Sequence, residues 1–267
     1  MNKFKLWSSE RPLIFGLIVV CGLILMVFIS SAVVSAIWPG ETVGWFTTNS
    51  IGRLISILIL LLALWRLGWL RSAGFTRPGR WDTWLVLSLP LAYSIAISAY
   101  AMTRNFDFRY SDPALAVTAA LFIMLHASLE EVTFRGLILH NFVIKYGNIK
   151  NGLMKSVLFS SLFFGLYHFI YLAGEPLQVV LLRMVTTFFL GIYFGTLVIR
   201  AASIYPAVFF HGIINLAAYL NLTSNGIEAT ASAWLLMSLL IIPLAVYSIF
   251  LLRRVTSRKV VPTFTGD

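Results

Sequence analysis

The chain has 267 residues, 59% of them hydrophobic and 11% charged, with a formal net charge of +10 and a mean hydropathy of +0.88. A soluble protein of this length carries far more surface charge, so the composition specifies a polytopic membrane protein. The basic residues flank apolar runs, as topology and anionic lipid require, which argues against nucleic acid as a partner, and the single cysteine, Cys21, excludes an intramolecular disulfide or a multi-cysteine metal knuckle.

Hydropathy predicts an all-α architecture of about eight transmembrane helices. The first span, Leu13–Ile37, follows Lys3, Lys5 and Arg11. Val34-Ser35-Ala36 resembles a cleavage site, but the apolar run exceeds the roughly 7–15 residues of a signal core, so the span is read as retained. An outer connection, Trp38–Ser50, leads to the second span, Ile51–Leu70; a cytoplasmic one, Arg71–Thr83, with Gly74, Pro78 and Gly79, leads to the third, Trp84–Met102. These three spans hold no ionisable residue in their central parts and read as scaffold or lipid-facing wall. The fourth span, Pro113–Lys145, is followed by Leu153–Leu172, Leu177–Ile199, Ile204–Leu220 and Ala233–Leu252. No internal repeat or long linker divides the chain, so 1–267 reads as one membrane domain with its informative half at 113–220. The triplet Asn221-Leu222-Thr223 fits a glycosylation sequon, a pattern common by chance and given no weight.

Basic residues set the orientation. Lys3, Lys5, Arg11, Arg66, Arg71, Arg77, Arg80, Lys145, Lys150, Lys155, Arg200, Arg253, Arg254, Arg258 and Lys259 fall on one side, fifteen of the twenty. Arg53, Arg104 and Arg109 fall on the other, and Arg135 and Arg183 inside spans. Both termini are therefore expected in the cytoplasm.

Glu130, Glu131 and Arg135 lie within six residues of the fourth span. Charges in hydrocarbon cost several kcal/mol each (about 2.5–3.5 on insertion scales), so such residues usually serve chemistry. At a spacing of four, Glu131 and Arg135 share a helix face and can pair, leaving Glu130, about 100° around the helix, free for another task. Two further patterns follow: Phe164-xxx-His168 in the fifth span and His211-xxx-Asn215 in the seventh. Each alone reads equally well as interhelical polar glue. Together they place two of four histidines, a glutamate pair and an amide on three spans, which favours a reactive site.

Other polar residues compete. His126, four before Glu130, shares its face and could bond it or help hold a metal. His140 is expected near the cytoplasmic surface. Arg183 is expected to snorkel to the interface, or else to bind a substrate carboxylate or pair with Glu175.

Peptide hydrolysis needs a base for water, donors for the oxyanion and an acid for the leaving amine. Glu130 suits the base, with His168 positioning the water or sharing its proton, and His211 with the Asn215 amide suits the oxyanion. No GxSxG, Ser-Lys, paired-Asp or HExxH pattern competes. A zinc version with His168, His211 and Glu130 as ligands is also open; the metal-free mechanism is preferred.

Glu130-Glu131-xxx-Arg135, Phe164-xxx-His168 and His211-xxx-Asn215 resemble the three motifs of the CAAX prenyl endopeptidase and bacteriocin-processing family, also called the Abi family. The resemblance implies an eight-helix intramembrane endopeptidase that cleaves a membrane-anchored or lipidated protein or peptide. By this likeness Glu130 activates water with His168 as partner, His211 and Asn215 form the oxyanion site, and Glu131, Arg135 and Phe164 support them. Metal use is not fixed by the resemblance. The short chain without sorting or retention signals suggests a bacterial plasma-membrane member; its oligomeric state is left open. The rival readings are a proton-coupled transporter with Glu130, His168 and His211 as titratable stations, and a non-catalytic bacteriocin-immunity protein. No inverted repeat supports the first, and the complete motif set weighs against the second.

One tension remains at this level. A straight helix over Pro113–Lys145 would run roughly 50 Å against an apolar thickness of roughly 30 Å. A tilt, or a break near His126–Glu131, is needed to bring Glu130 and His168 to one site.

Overall fold

The computed structural model describes residues 3–37, 42–84, 92, 113–225 and 231–255. They form α1 (Lys3–Glu10), α2 (Pro12–Ile37), α3 (Thr42–Arg66) and α4 (Pro113–Glu131). A π-helical segment (Val132–Leu139) joins α4 to α5 (His140–Tyr146), and α6 (Gly152–Tyr167) ends in a 3-10 turn (His168–Ala173). Then come α7 (Leu177–Ala201), α8 (Tyr205–Asn225) and α9 (Ala231–Arg253). No strand occurs among the described residues.

Five stretches are long and apolar enough to cross a membrane: Pro12–Ile37, Gly44–Arg66, Pro113–Tyr146, Gly152–Ala173 and Leu177–Ala201. Tyr205–Ala217 and Met237–Arg253 are shorter apolar helices. The chain is a multi-pass, all-helical membrane protein. The third expected span, Trp84–Met102, falls almost wholly outside the described residues.

Two boundaries differ from hydropathy. The second span begins within α3 at Thr42, not at Ile51, because Gly44-Trp45-Phe46-Thr47-Thr48-Asn49-Ser50 continues the helix although its polarity lowers the hydropathy window. The expected outer connection Trp38–Ser50 is correspondingly shorter, and Arg53, assigned by sequence to the outer side, lies inside the helix and is only 4% exposed. The region therefore is not without central charge. The irregularity expected near His126–Glu131 occurs immediately after it, over Val132–Leu139, where i→i+5 bonding widens the helix.

Lipid-facing and inward surfaces separate clearly. Leu17, Ile18, Leu25, Phe28 and Ile29 of α2 are exposed, as are Leu54, Ile55, Leu58, Ile59 and Leu62 of α3. Inside, one cluster packs Phe15 and Leu23 of α2 against Leu60 and Leu64 of α3, Trp69, Phe134, Phe142, Phe163 and Phe164. Its use of Phe15 and Leu23 makes the first span part of the core. A second cluster gathers Val157, Tyr193, Phe194, Leu197, Phe210 and Leu252. Helix α7 packs against both α6 and α9, while α4 packs against α3 and α8.

Close approach of α6 and α7 rests on small residues, Gly165 of α6 and Gly191 and Gly195 of α7, with Gly191 in the tightest place. A Cβ on Gly191 would stand 2.8 Å from the Ser161 Cβ and 2.9 Å from its Cα, too close without separating the helices. Gly191→Leu is therefore expected to destabilise the protein by about 1–3 kcal/mol, the usual cost of overpacking. Thermal unfolding in detergent measures this; unchanged stability would mean that α6 and α7 do not meet there.

Candidate active site

The π-helical segment starts directly after Glu131, so the two glutamates end a regular helix and Arg135 occupies the widened part. Arg135 is 1% exposed and still reaches Glu131, its Nη1 donating to Oε1 at 2.9 Å. Its Nη2 lies 3.4 Å from the Gly191 carbonyl, which ties the pair to α7. The guanidinium also lies over the rings of Phe164, at 4.6 Å, and Phe194, at 5.4 Å. The i,i+4 pairing read from sequence is present.

Helix α8 brings His211 between the two carboxylates. Nδ1 is 2.8 Å from Glu131 Oε1, and Nε2 is 3.4 Å from Glu130 Oε2. An ionised carboxylate only accepts, so Nδ1 donates to Glu131. The ring stacks on Phe194, centroids 4.8 Å apart and planes 21° from parallel. Asn215 lies one turn further along α8 and is half-buried.

Phe164 joins the second motif to this cluster. Its ring meets that of His168 edge-on at 5.0 Å and that of His211 at 5.7 Å. His168 sits where α6 tightens into the 3-10 turn. Its backbone N–H bonds to the Gly165 carbonyl instead of that of Phe164, and its ring Nδ1 takes the Phe164 carbonyl at 2.8 Å. A carbonyl only accepts, so Nδ1 carries the proton and the neutral ring keeps a lone pair at Nε2. Spacing Phe164 and His168 four apart thus fixes a tautomer as well as a face. Glu130 interacts electrostatically with both His168 and His211.

The remaining candidates are placed as follows. His126 is one turn before Glu130, its Nε2 3.3 Å from Glu130 Oε1, so the shared face inferred from sequence becomes a contact. Arg53, which the sequence reading counted on the outer side, at the start of the second span, reaches His126 from α3. His140 is fully buried: it lies against Trp69, centroids 4.9 Å apart, with Nε2 3.2 Å from Ser72 Oγ, both in the segment that follows α3. Arg183 pairs with Glu175, its guanidinium over Tyr171 at 4.0 Å and Trp234 at 4.5 Å. Tyr171 in turn stacks near His168, centroids 5.9 Å apart.

Among the described residues no three His, Cys, Asp or Glu side chains meet at metal-holding distances. His211 turns both nitrogens to carboxylates, and His168 commits Nδ1 to a carbonyl.

All three sequence motifs thus converge on α4, the α6 terminus and α8. No curated protein and no solved structure matches the chain. Residues 112–217, the segment that brings Glu130, His168 and His211 together, match the family model described as type II CAAX prenyl endopeptidase Rce1-like, and the resemblance read from the motifs is thereby shown.

Proposed function

We propose that this protein is an intramembrane endopeptidase that hydrolyses a peptide bond of a membrane-anchored or lipidated protein or peptide with water activated by Glu130. The observation that carries this reading is the convergence of Glu130, His168 and His211 at one buried place. Glu130 takes a proton from the attacking water, whose oxygen bonds the scissile carbonyl carbon. His168, with Nδ1 committed to Phe164, offers Nε2 as acceptor to the same water. Charge then develops on the carbonyl oxygen. The Asn215 amide supplies a donor for it, while His211, its Nδ1–H held by Glu131, turns the lone pair of Nε2 to Glu130 and accepts from it once that carboxylate is protonated. Glu130 finally returns its proton to the leaving amine as the C–N bond breaks. Glu131 and Arg135 hold His211 in place throughout. No metal enters this scheme.

The basic-residue distribution supports eight spans with both termini in the cytoplasm. The test is cleavage in proteoliposomes of a panel of prenylated and membrane-anchored peptides, with and without chelator. Product formation that resists the chelator supports the glutamate mechanism, and chelator sensitivity overturns its metal-free form. Asn215→Ala is expected to lower kcat by about 10²-fold, as loss of one oxyanion donor does, with little change in KM. An unaltered kcat would remove Asn215 from the site.

A further inference from the structure

Two glutamates are buried at this site, and Arg135 balances only one. The other cation is Arg53 of α3, which lies outside the matched segment 112–217. Its side chain crosses between three helices. Nη1 donates to Ser30 Oγ of α2 at 2.7 Å, and Nε donates to His126 Nδ1 of α4 at 3.3 Å. The guanidinium lies 5.5 Å from the centre of the Phe122 ring, on which His126 also stacks, centroids 5.8 Å apart and planes 22° from parallel. His126 then faces Glu130 Oε1 through Nε2 at 3.3 Å. Gly52, adjacent to Arg53, lets α2 come close: a Cβ there would stand 2.9 Å from the Ser30 Cβ.

The donor logic of this chain leaves one arrangement. Arginine has five N–H donors, no acceptor, and stays protonated in proteins. Its Nε–H therefore requires a lone pair at His126 Nδ1, which places the ring proton of the neutral imidazole on Nε2. That proton points to a carboxylate oxygen, which accepts it. Among the described residues, Arg53 and Arg135 thus stand against Glu130 and Glu131, one guanidinium for each carboxylate.

We propose that Arg53 and His126 are positioning residues for Glu130: Arg53 locks His126 in the tautomer that donates Nε2–H to Glu130 and is the cation that balances that carboxylate. The proposal rests on the reading of Glu130 as the base, and extends the working site to α2 and α3. His126 holds one oxygen of the carboxylate and is no rival base, because its only lone pair is occupied by Arg53. This arrangement is the outer-support logic by which a third group fixes an imidazole and the imidazole fixes the reacting group.

The test uses the full chain in lipid nanodiscs with ¹⁵N-labelled histidine. The His126 resonances, identified by their loss in His126→Gln, are expected to show the neutral Nε2–H tautomer. Arg53→Met should abolish that preference. Arg53→Lys should abolish it too while keeping the charge, since an ammonium lacks the planar fork that reaches Ser30 and His126 together. A wild-type His126 protonated at Nδ1, or a tautomer unchanged in both Arg53 variants, would overturn the proposal.

Turnover of a farnesylated peptide supplies the second arm. His126→Ala should lower kcat by roughly 10–100-fold, the range seen when an orienting group is lost, with KM little changed. His126→Gln should recover most of it, because the glutamine oxygen can accept from Arg53 while its amide donates to Glu130. Equal loss in the Gln and Ala variants would overturn the positioning role. If the wild type cleaves nothing, the hydrolase reading is what fails, and the tautomer measurement still decides the Arg53–His126 pair.

Discussion

Glu130→Gln is expected to reduce kcat for peptide cleavage by about 10²–10⁴-fold, the contribution of a positioned general base. The substitution keeps the shape of the side chain and its reach toward His126 and His211, which stand 3.3 and 3.4 Å from its two oxygens. It removes only the ability to take a proton from water. Folding should survive, because a neutral amide is easier to bury than a carboxylate. The measurement is initial turnover of a farnesylated peptide in proteoliposomes, set beside the thermal unfolding of the same preparation. Activity within a few-fold of wild type, with stability unchanged, would remove Glu130 as the base.

Arg135→Met should give the largest loss of stability, about 3–5 kcal/mol, as expected when one partner of a buried ion pair is deleted. Glu131 is fully buried and would then hold its charge against the His211 imidazole alone. The packing of the guanidinium on Phe164 and Phe194 would also be lost. Pairing the change with Glu131→Met should recover much of the loss, since no isolated charge remains, although His211 Nδ1 would lack its acceptor at a cost of about 1–3 kcal/mol. Chemical unfolding in detergent, compared across the two single variants and the double, measures the coupling. Strict additivity would show that the pair is not coupled as its geometry requires.

The residues of the site were more legible in the sequence than their relations were. Glu131 and Arg135 could be paired because helical spacing alone sets their approach, and the same holds for His126 with Glu130. His211 could be placed on a face with Asn215, but not between two carboxylates, because that depends on how α8 crosses α4. The π-helical segment has no clear signature in Val132-Thr133-Phe134-Arg135-Gly136-Leu137-Ile138-Leu139; only the excess length of the span announced that something must give.

Arg53 was misplaced for a specific reason. Hydropathy sets a span edge where polar residues begin, and Thr47, Thr48, Asn49 and Ser50 lie just before it. In the fold these residues are helical. Asn49 and Ser50 bond back to the carbonyls of Trp45 and Phe46, one turn earlier, and so carry polar groups without ending the helix. Arg53 consequently lies about three turns into α3. His140 is covered by Trp69 and Ser72 of the segment after α3, a burial that its place in the sequence does not show.

The placement of Arg53 bears on how the chain can be assembled during synthesis. Membrane helices are made in order from the N-terminus, and a carboxylate entering hydrocarbon without a counter-charge is the costly step. Arg53 precedes Glu130 in the chain, and Arg135 follows Glu131 within the same span. When α4 is inserted, a guanidinium for each glutamate is therefore already made or arrives with it. The imidazoles of His168 and His211 and the Asn215 amide come later. The nascent protein can thus shelter its acidic pair before the helices that complete the candidate site have left the ribosome.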